Sequence, residues 1–180
     1  MHGPVSSGWL LVAICAATGA YCLLRMRSRV VEQRRAAGGE ALMGFGMTVM
    51  AVPAAVFTPP GWVWTALAVV FGGAGLHALW AARTGAGHLH HLIGAGAMVY
   101  MAVAMAAPAG HGHGGSGTPL LTGTLLLYFV AYVLVAGVRL MPVAAVPGVA
   151  EGAGWGDRPE LARACRLSMG IAMVAMLLAV

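Results

Sequence analysis

From Ala41 to Ala82, and again from Thr84 to Val138, the chain carries no Asp, Glu, Lys or Arg. A soluble domain dresses its surface with charge, ordinarily about a quarter of its residues, and stretches this long leave nothing to dress it with. Over all 180 residues 60% are apolar and 8% charged, so the expected solvent for most of the surface is lipid. Divided at charges, glycines and prolines, the apolar runs are Gly8 to Leu24, Ala41 to Phe57, Trp62 to Ala82, Leu92 to Ala107, Leu120 to Val138 and Leu167 to Val180, most of them near the roughly 20 residues that cross a bilayer core. The last run extends back to Pro159, because Asp157, Pro159 and Glu160 form a helix start. A helix over 159–180 would cover about 33 Å, with Arg163 and Arg166 in the headgroup layer. The sequence therefore predicts an all-α, single-domain integral membrane bundle over 1–180, with spans at about 8–24, 41–57, 62–82, 92–107, 120–138 and 159–180. Pro53 is expected to kink the outer third of the second span.

All ten basic residues are arginine, which with the excess of Ala, Gly and Val suits a GC-rich bacterial genome. Arg25, Arg27, Arg29, Arg34 and Arg35 follow the first span, Arg83 follows the third, and Arg139, Arg158, Arg163 and Arg166 lie between the fifth and sixth. Alternating spans put every one of them on the same side. The positive-inside rule then predicts a plasma-membrane protein with its arginine-containing loops cytoplasmic and its N-terminus and C-terminus outside. Trp62 and Trp64 at one end of the third span and Trp80 at the other fit an interfacial aromatic belt. The net charge of +5 is accounted for by this flanking arginine, so it implies no nucleic acid. The expected partners are the lipid bilayer and either another membrane protein or a second copy of the chain. The first apolar run lacks a basic segment before it and is expected to stay as an anchor. Cys15 and Cys22 sit seven residues apart on one helix and cannot reach each other, and Cys165 is near the far end of the chain, so no disulfide framework is expected.

The three spans that run outward answer to one another. Glu40-x-x-Met43-x-x-x-Met47-x-x-Met50 recurs as His91-x-x-Gly94-x-x-x-Met98-x-x-Met101 and as Arg166-x-x-Met169-x-x-x-Met173-x-x-Met176. At 100° per residue the four positions of each repeat fall within about 80° of arc, giving each helix one methionine stripe with a polar residue at its foot. Three helical hairpins with a pseudo-threefold repeat follow, as parallel repeats do in transporters. If the stripes meet at the axis, Met47, Met98 and Met173 form one layer. Met50, Met101 and Met176 form a second about 4.5 Å further out, and Gly94 leaves a gap beside Met43 and Met169.

Thioethers bind soft cations such as Cu(I) or Ag(I) and have little use for Mg²⁺ or Ca²⁺. Thiolate and imidazole are stronger soft ligands, and Cys22, His77, His91 and Cys165 lie near the arginine-marked boundary together with Glu40, His88 and His90. His2, His111 and His113 lie at the opposite mouth. The candidate metal ligands are thus Met47, Met98, Met173, Met50, Met101, Met176, Cys22, His77, His91 and Cys165, with Cu(I) the candidate ion. Against this stands simple packing, because methionine fills irregular gaps and a 4–3 spacing is the ordinary seam of packed helices. Gly44, Gly46, Gly94, Gly96 and Gly170 beside the stripes would allow close approach under either reading. Glu40 is expected to pair with Arg166 or with an arginine of the first loop. Paired histidines also raise b-type haem, with His77 and His91 as ligands. No nucleophile with an in-membrane base, no phosphate loop and no pair of buried carboxylates is evident, so no enzyme is expected.

The stripes Glu40 to Met50, His88 to Met105 and Arg166 to Met176, in a six-span chain of this size, resemble an uncharacterised family of small actinobacterial multi-pass membrane proteins. That family is labelled as a domain of unknown function, so the resemblance implies a fold and transfers no catalytic residues. The spacing of Met43 and Met47, and of Met169 and Met173, is also similar to that in Ctr-type copper transporters, where three subunits stack methionine rings. The chain departs from that pattern at Gly94, in its length and in lacking N-terminal methionine clusters. Two function classes follow: soft-metal binding or transport, and a non-catalytic partner or assembly subunit in which the stripes are core.

Overall fold

The computed structural model describes residues 3–28, 31–54, 56–82, 89–106, 118–139 and 159–179. Among them are six helices and no strand: α1 Gly3–Arg25, α2 Val31–Ala51, α3 Gly61–Ala82, α4 Leu89–Ala106, α5 Pro119–Val138 and α6 Pro159–Leu177. Four of these, α1, α3, α4 and α5, are long and apolar enough to cross a membrane. The other two open on charged turns, with Arg34 and Arg35 in α2 and Arg163 and Arg166 in α6. His2, His88, His111, His113, Arg29, Arg83, Arg158 and Asp157 lie outside the described residues.

Consecutive helices pack as hairpins, α1 on α2, α3 on α4 and α5 on α6. Small residues permit each approach: a Cβ on Gly44 would lie 2.9 Å from the Cα of Gly19, one on Gly75 3.5 Å from the Cβ of Ala95, and one on Gly170 2.9 Å from a methyl of Val133. Bringing backbones this close increases dispersion contact between the paired helices. Gly96 has no such neighbour, so its expected packing role is not observed.

The hairpins in turn engage one another as a pinwheel. α2 packs against both α4 and α6. Each of the odd-numbered helices reaches the even-numbered helix of another hairpin: Thr18 of α1 meets Ser168 of α6, Phe71 of α3 abuts Gly46 of α2, and Tyr132 of α5 stacks on His90 of α4. The outward faces stay apolar, with Val69, Leu76 and Trp80 of α3 and Leu127 and Leu134 of α5 largely exposed.

Both boundaries of α2 differ most from the sequence expectation. α2 starts ten residues before Ala41, because a helix tolerates Arg34 and Arg35 in its first turns once their stems lie along it and their heads reach out. It also stops at Ala51, so the helix ends there instead of kinking and running on to Phe57. Pro53 has no N–H to continue the ladder and disfavours helical geometry in the residue before it. The chain turns there, with the amides of Val56 and Phe57 both donating to the Pro53 carbonyl.

Candidate functional site: a methionine core above an arginine-end cavity

The helical arc predicted for the stripes is the buried arc. Met47, Met98 and Met101 are 0% exposed and Met173 1%, and with Met50, Met169 and Met176 they belong to one contiguous buried cluster. Two residues without a sequence signal complete it. Phe71 and Phe129 are fully buried in the same cluster, contributed by α3 and α5. Because α3 is apolar all round, periodicity cannot mark which of its faces turns inward. The gap expected at Gly94 is occupied: a Cβ there would lie 2.6 Å from Cε of Met43, so the long thioether of one repeat covers the residue missing from the next.

At the foot of the stripes the three repeat-related polar residues draw together. Arg25 Nη1 donates to Glu40 Oε2 at 2.7 Å and Arg166 Nε donates to Glu40 Oε1 at 2.6 Å. Both expected types of partner are therefore used at once, tying α1 and α6 to α2. Glu40 is buried, and Arg25 with it, an arrangement affordable in low dielectric only because the carboxylate is neutralised and hydrogen-bonded on both oxygens. The Cys22 thiol donates to Glu40 Oε2 at 3.7 Å. His91, the third foot residue, lies against Gly39, whose added Cβ would be 3.8 Å from His91 Nδ1. Every buried side-chain nitrogen and oxygen among the described residues has a partner.

Beside this knot a cavity of about 1300 Å³ runs from Arg35 at the arginine end to Met43, Met169 and Met173. His90 and His91 of α4, Tyr132 and Phe129 of α5, and His77 and Trp80 of α3 border it. His90 is fixed in place, stacked on Tyr132 with ring centroids 4.0 Å apart and hydrogen-bonded through Nδ1 to the Tyr128 hydroxyl at 3.0 Å.

The predicted ligands thus divide. The six methionines are brought into one core, whereas the other four are spread: Cys22 is buried against Glu40 with half-buried Cys165 close enough to both to interact electrostatically, His91 is half-buried against Gly39, and His77 is exposed at the cavity's edge. Among the described residues no three His, Cys, Asp or Glu side chains form a group able to hold a metal. The three cysteines are unpaired as disulfides.

The sequence profile of a domain of unknown function, DUF5134, matches residues 32–180. The chain belongs to this family. The DUF5134 region holds all three methionine stripes, Glu40 and the whole lining of the cavity, while Arg25 and Cys22 of α1 come from outside it. Membership in DUF5134 brings no activity with it. Comparison with curated proteins and with solved structures finds no match for the chain.

Proposed function

We propose that this protein is a six-span plasma-membrane bundle that binds or passes a soft monovalent metal, Cu(I), at its methionine layers. One observation carries the reading: Met47, Met98 and Met173 stand on three different helices, occupy the same place in the repeat, and are all buried in one cluster. Thioethers so gathered, out of water, offer soft donors and no hard ones. The membrane part of the reading draws on four helices of spanning length and on apolar residues facing outward. α2 and α6 are the fifth and sixth spans, and their inner arginines reach the headgroup layer. All described arginines lie at one end of the bundle, and that end is cytoplasmic under the positive-inside rule.

The test is elemental analysis of protein purified from cells supplied with copper or silver, before and after replacing Met47, Met98 and Met173 by leucine. Leucine keeps the volume, so each swap costs under about 1.5 kcal/mol and the fold survives. Metal per protein should fall in the triple variant; an unchanged ratio removes the methionines as ligands. A second reading, a non-catalytic subunit of a membrane complex, draws on α5, in which Phe129 alone is buried. It requires a stoichiometric companion in mild detergent and no metal.

A further inference from the structure

Equivalent seams join the three hairpins, and at the arginine end two of them are shut. Thr18 and Ser168 hydroxyls meet at 3.3 Å between α1 and α6, just beneath which Arg166 grips Glu40. Between α4 and α5 the His90 ring lies on Tyr132. The third seam closes only at its outer half, where Phe71 of α3 fills the space left by Gly46 of α2. Inward of that contact the two helices form opposing walls of the cavity. Gly38 and Gly39 of α2 and Ala74 and Ala78 of α3 are among the lining, and the lining residues of these two helices include exposed ones, Arg35, Leu42, His77 and Trp80. The cavity is therefore open sideways, toward the surface that lipid would cover.

We infer that this open seam is a lateral binding site for one anionic glycerophospholipid. Its rim is cationic. Arg35 is exposed, and Arg166 keeps 44% of its side chain exposed after bonding Glu40 through Nε. The one carboxylate on the lining is already neutralised by Arg25 and Arg166. Below the rim the walls are hydrocarbon, aromatic and thioether, ending at Phe71, Met43 and Met173. A cationic rim over an apolar shaft suits a molecule with a negative head and an acyl tail. A free phosphate or nucleotide would find few partners for its buried end. At about 1300 Å³ the space also exceeds the roughly 300–1000 Å³ of pockets for drug-sized ligands. The inference rests on the membrane reading and is independent of the metal.

Native mass spectrometry of protein released from bacterial membranes in mild detergent should count one retained phospholipid, with phosphatidylglycerol preferred to phosphatidylethanolamine. Arg35→Gln, on an exposed side chain, should lower retention about tenfold, the worth of one charge-assisted hydrogen bond. Ala74→Phe, which fills the shaft and keeps every charge, should lower it as much. Ala66→Phe, on the exposed outer half of α3, should leave it unchanged. Equal retention of both lipids, no effect of Arg35→Gln and Ala74→Phe, or an equal effect of Ala66→Phe would overturn the site, as would a Soret band revealing a porphyrin in place of lipid. Release of the chain by alkaline carbonate would instead overturn the membrane reading; a chain that stays in the pellet with an unaltered lipid count overturns the seam alone.

Discussion

The seam between α1 and α6 and the seam between α3 and α2 hold equivalent places around the bundle, yet one is pinned by charge and the other is hollow. The repeated hydrophobic pattern cannot be the cause, since it is common to all three hairpins. What differs is the residue at the foot of each stripe. Glu40, Arg166 and His91 occupy one repeat position, and of these Glu40 and Arg166 pair, a bond that ties α2 to α6 beside the α1–α6 seam, whereas no ion pair among the described residues joins α2 to α3. The repeat sets where helices run, and a few unrepeated polar side chains decide which gaps between them close.

Breaking the pinned seam should have the largest effect. Glu40→Ala leaves Arg25 buried with no counter-charge, and removal of one partner from a buried pair costs about 3–5 kcal/mol. Arg166, exposed by nearly half, adds little to that because solvent screens it. The expected readout is a large loss of stability in detergent unfolding. Glu40→Leu combined with Arg25→Leu should recover much of it, because an apolar pair has no charge to strand. A loss under about 1 kcal/mol for Glu40→Ala would mean that the Arg25–Glu40–Arg166 cluster is not what ties α1 and α6 to α2.

Glycine substitutions sharpen the contrast between backbone and side-chain contact. Gly44→Ala drives a Cβ to 2.9 Å from the Gly19 Cα and 3.2 Å from the Cys15 carbonyl oxygen. Backbone cannot rotate aside, so α1 and α2 must separate, at about 1–3 kcal/mol. Gly46→Ala meets the Phe71 ring, which can yield only by leaving the core, and a similar cost is expected. Gly94→Ala meets only the terminal methyl of Met43 at 2.6 Å, and a flexible thioether can swing away for under about 1 kcal/mol. Thermal melts that rank the three in another order would show that the close approaches do not govern hairpin stability.

The same particulars show what a sequence of this kind discloses. Six helices, their pairing and the buried arc of each methionine stripe follow from hydropathy and period, because apolar runs and their helical arcs decide which faces are buried. Arg166 or an arginine after the first span could be expected as a partner of Glu40, since a buried acid demands a base and the arginines lie near; that Arg25 and Arg166 both bond it could not. The start of α2 was hidden because charge near an apolar run reads as loop, although arginine can stay helical and reach outward. Phe71 and Phe129 were hidden by uniformly apolar helices. The cavity was hidden for a different reason: small residues such as Gly38, Gly39, Ala74 and Ala78 are among its lining, and an absence of volume has no periodicity. His77 illustrates the converse, a conspicuous residue that folding leaves at the edge of a cavity instead of in a ligand cluster.

Smaller effects separate the two closed seams from each other. Thr18→Val with Ser168→Ala removes the hydroxyl contact between α1 and α6, and interhelical hydrogen bonds of this kind contribute about 0.6 kcal/mol in membrane proteins. A double-mutant cycle should return a coupling near that value; a coupling at zero would mean that the hydroxyl contact does not hold α1 to α6.

The seam between α4 and α5 rests on one imidazole that both stacks and hydrogen-bonds, so His90→Phe and His90→Ala divide its two roles. Phenylalanine keeps a ring against Tyr132 and loses the bond to Tyr128, an expected cost of about 0.6 kcal/mol. Alanine loses both, adding about 0.5–1.5 kcal/mol for the aromatic pair and leaving a hollow like the one between α2 and α3. If the two variants melt together, the hydrogen bond alone holds this seam. If phenylalanine matches the parent while alanine falls, the stack holds it, and closure depends on filled volume just as the openness of the α2–α3 seam depends on its absence.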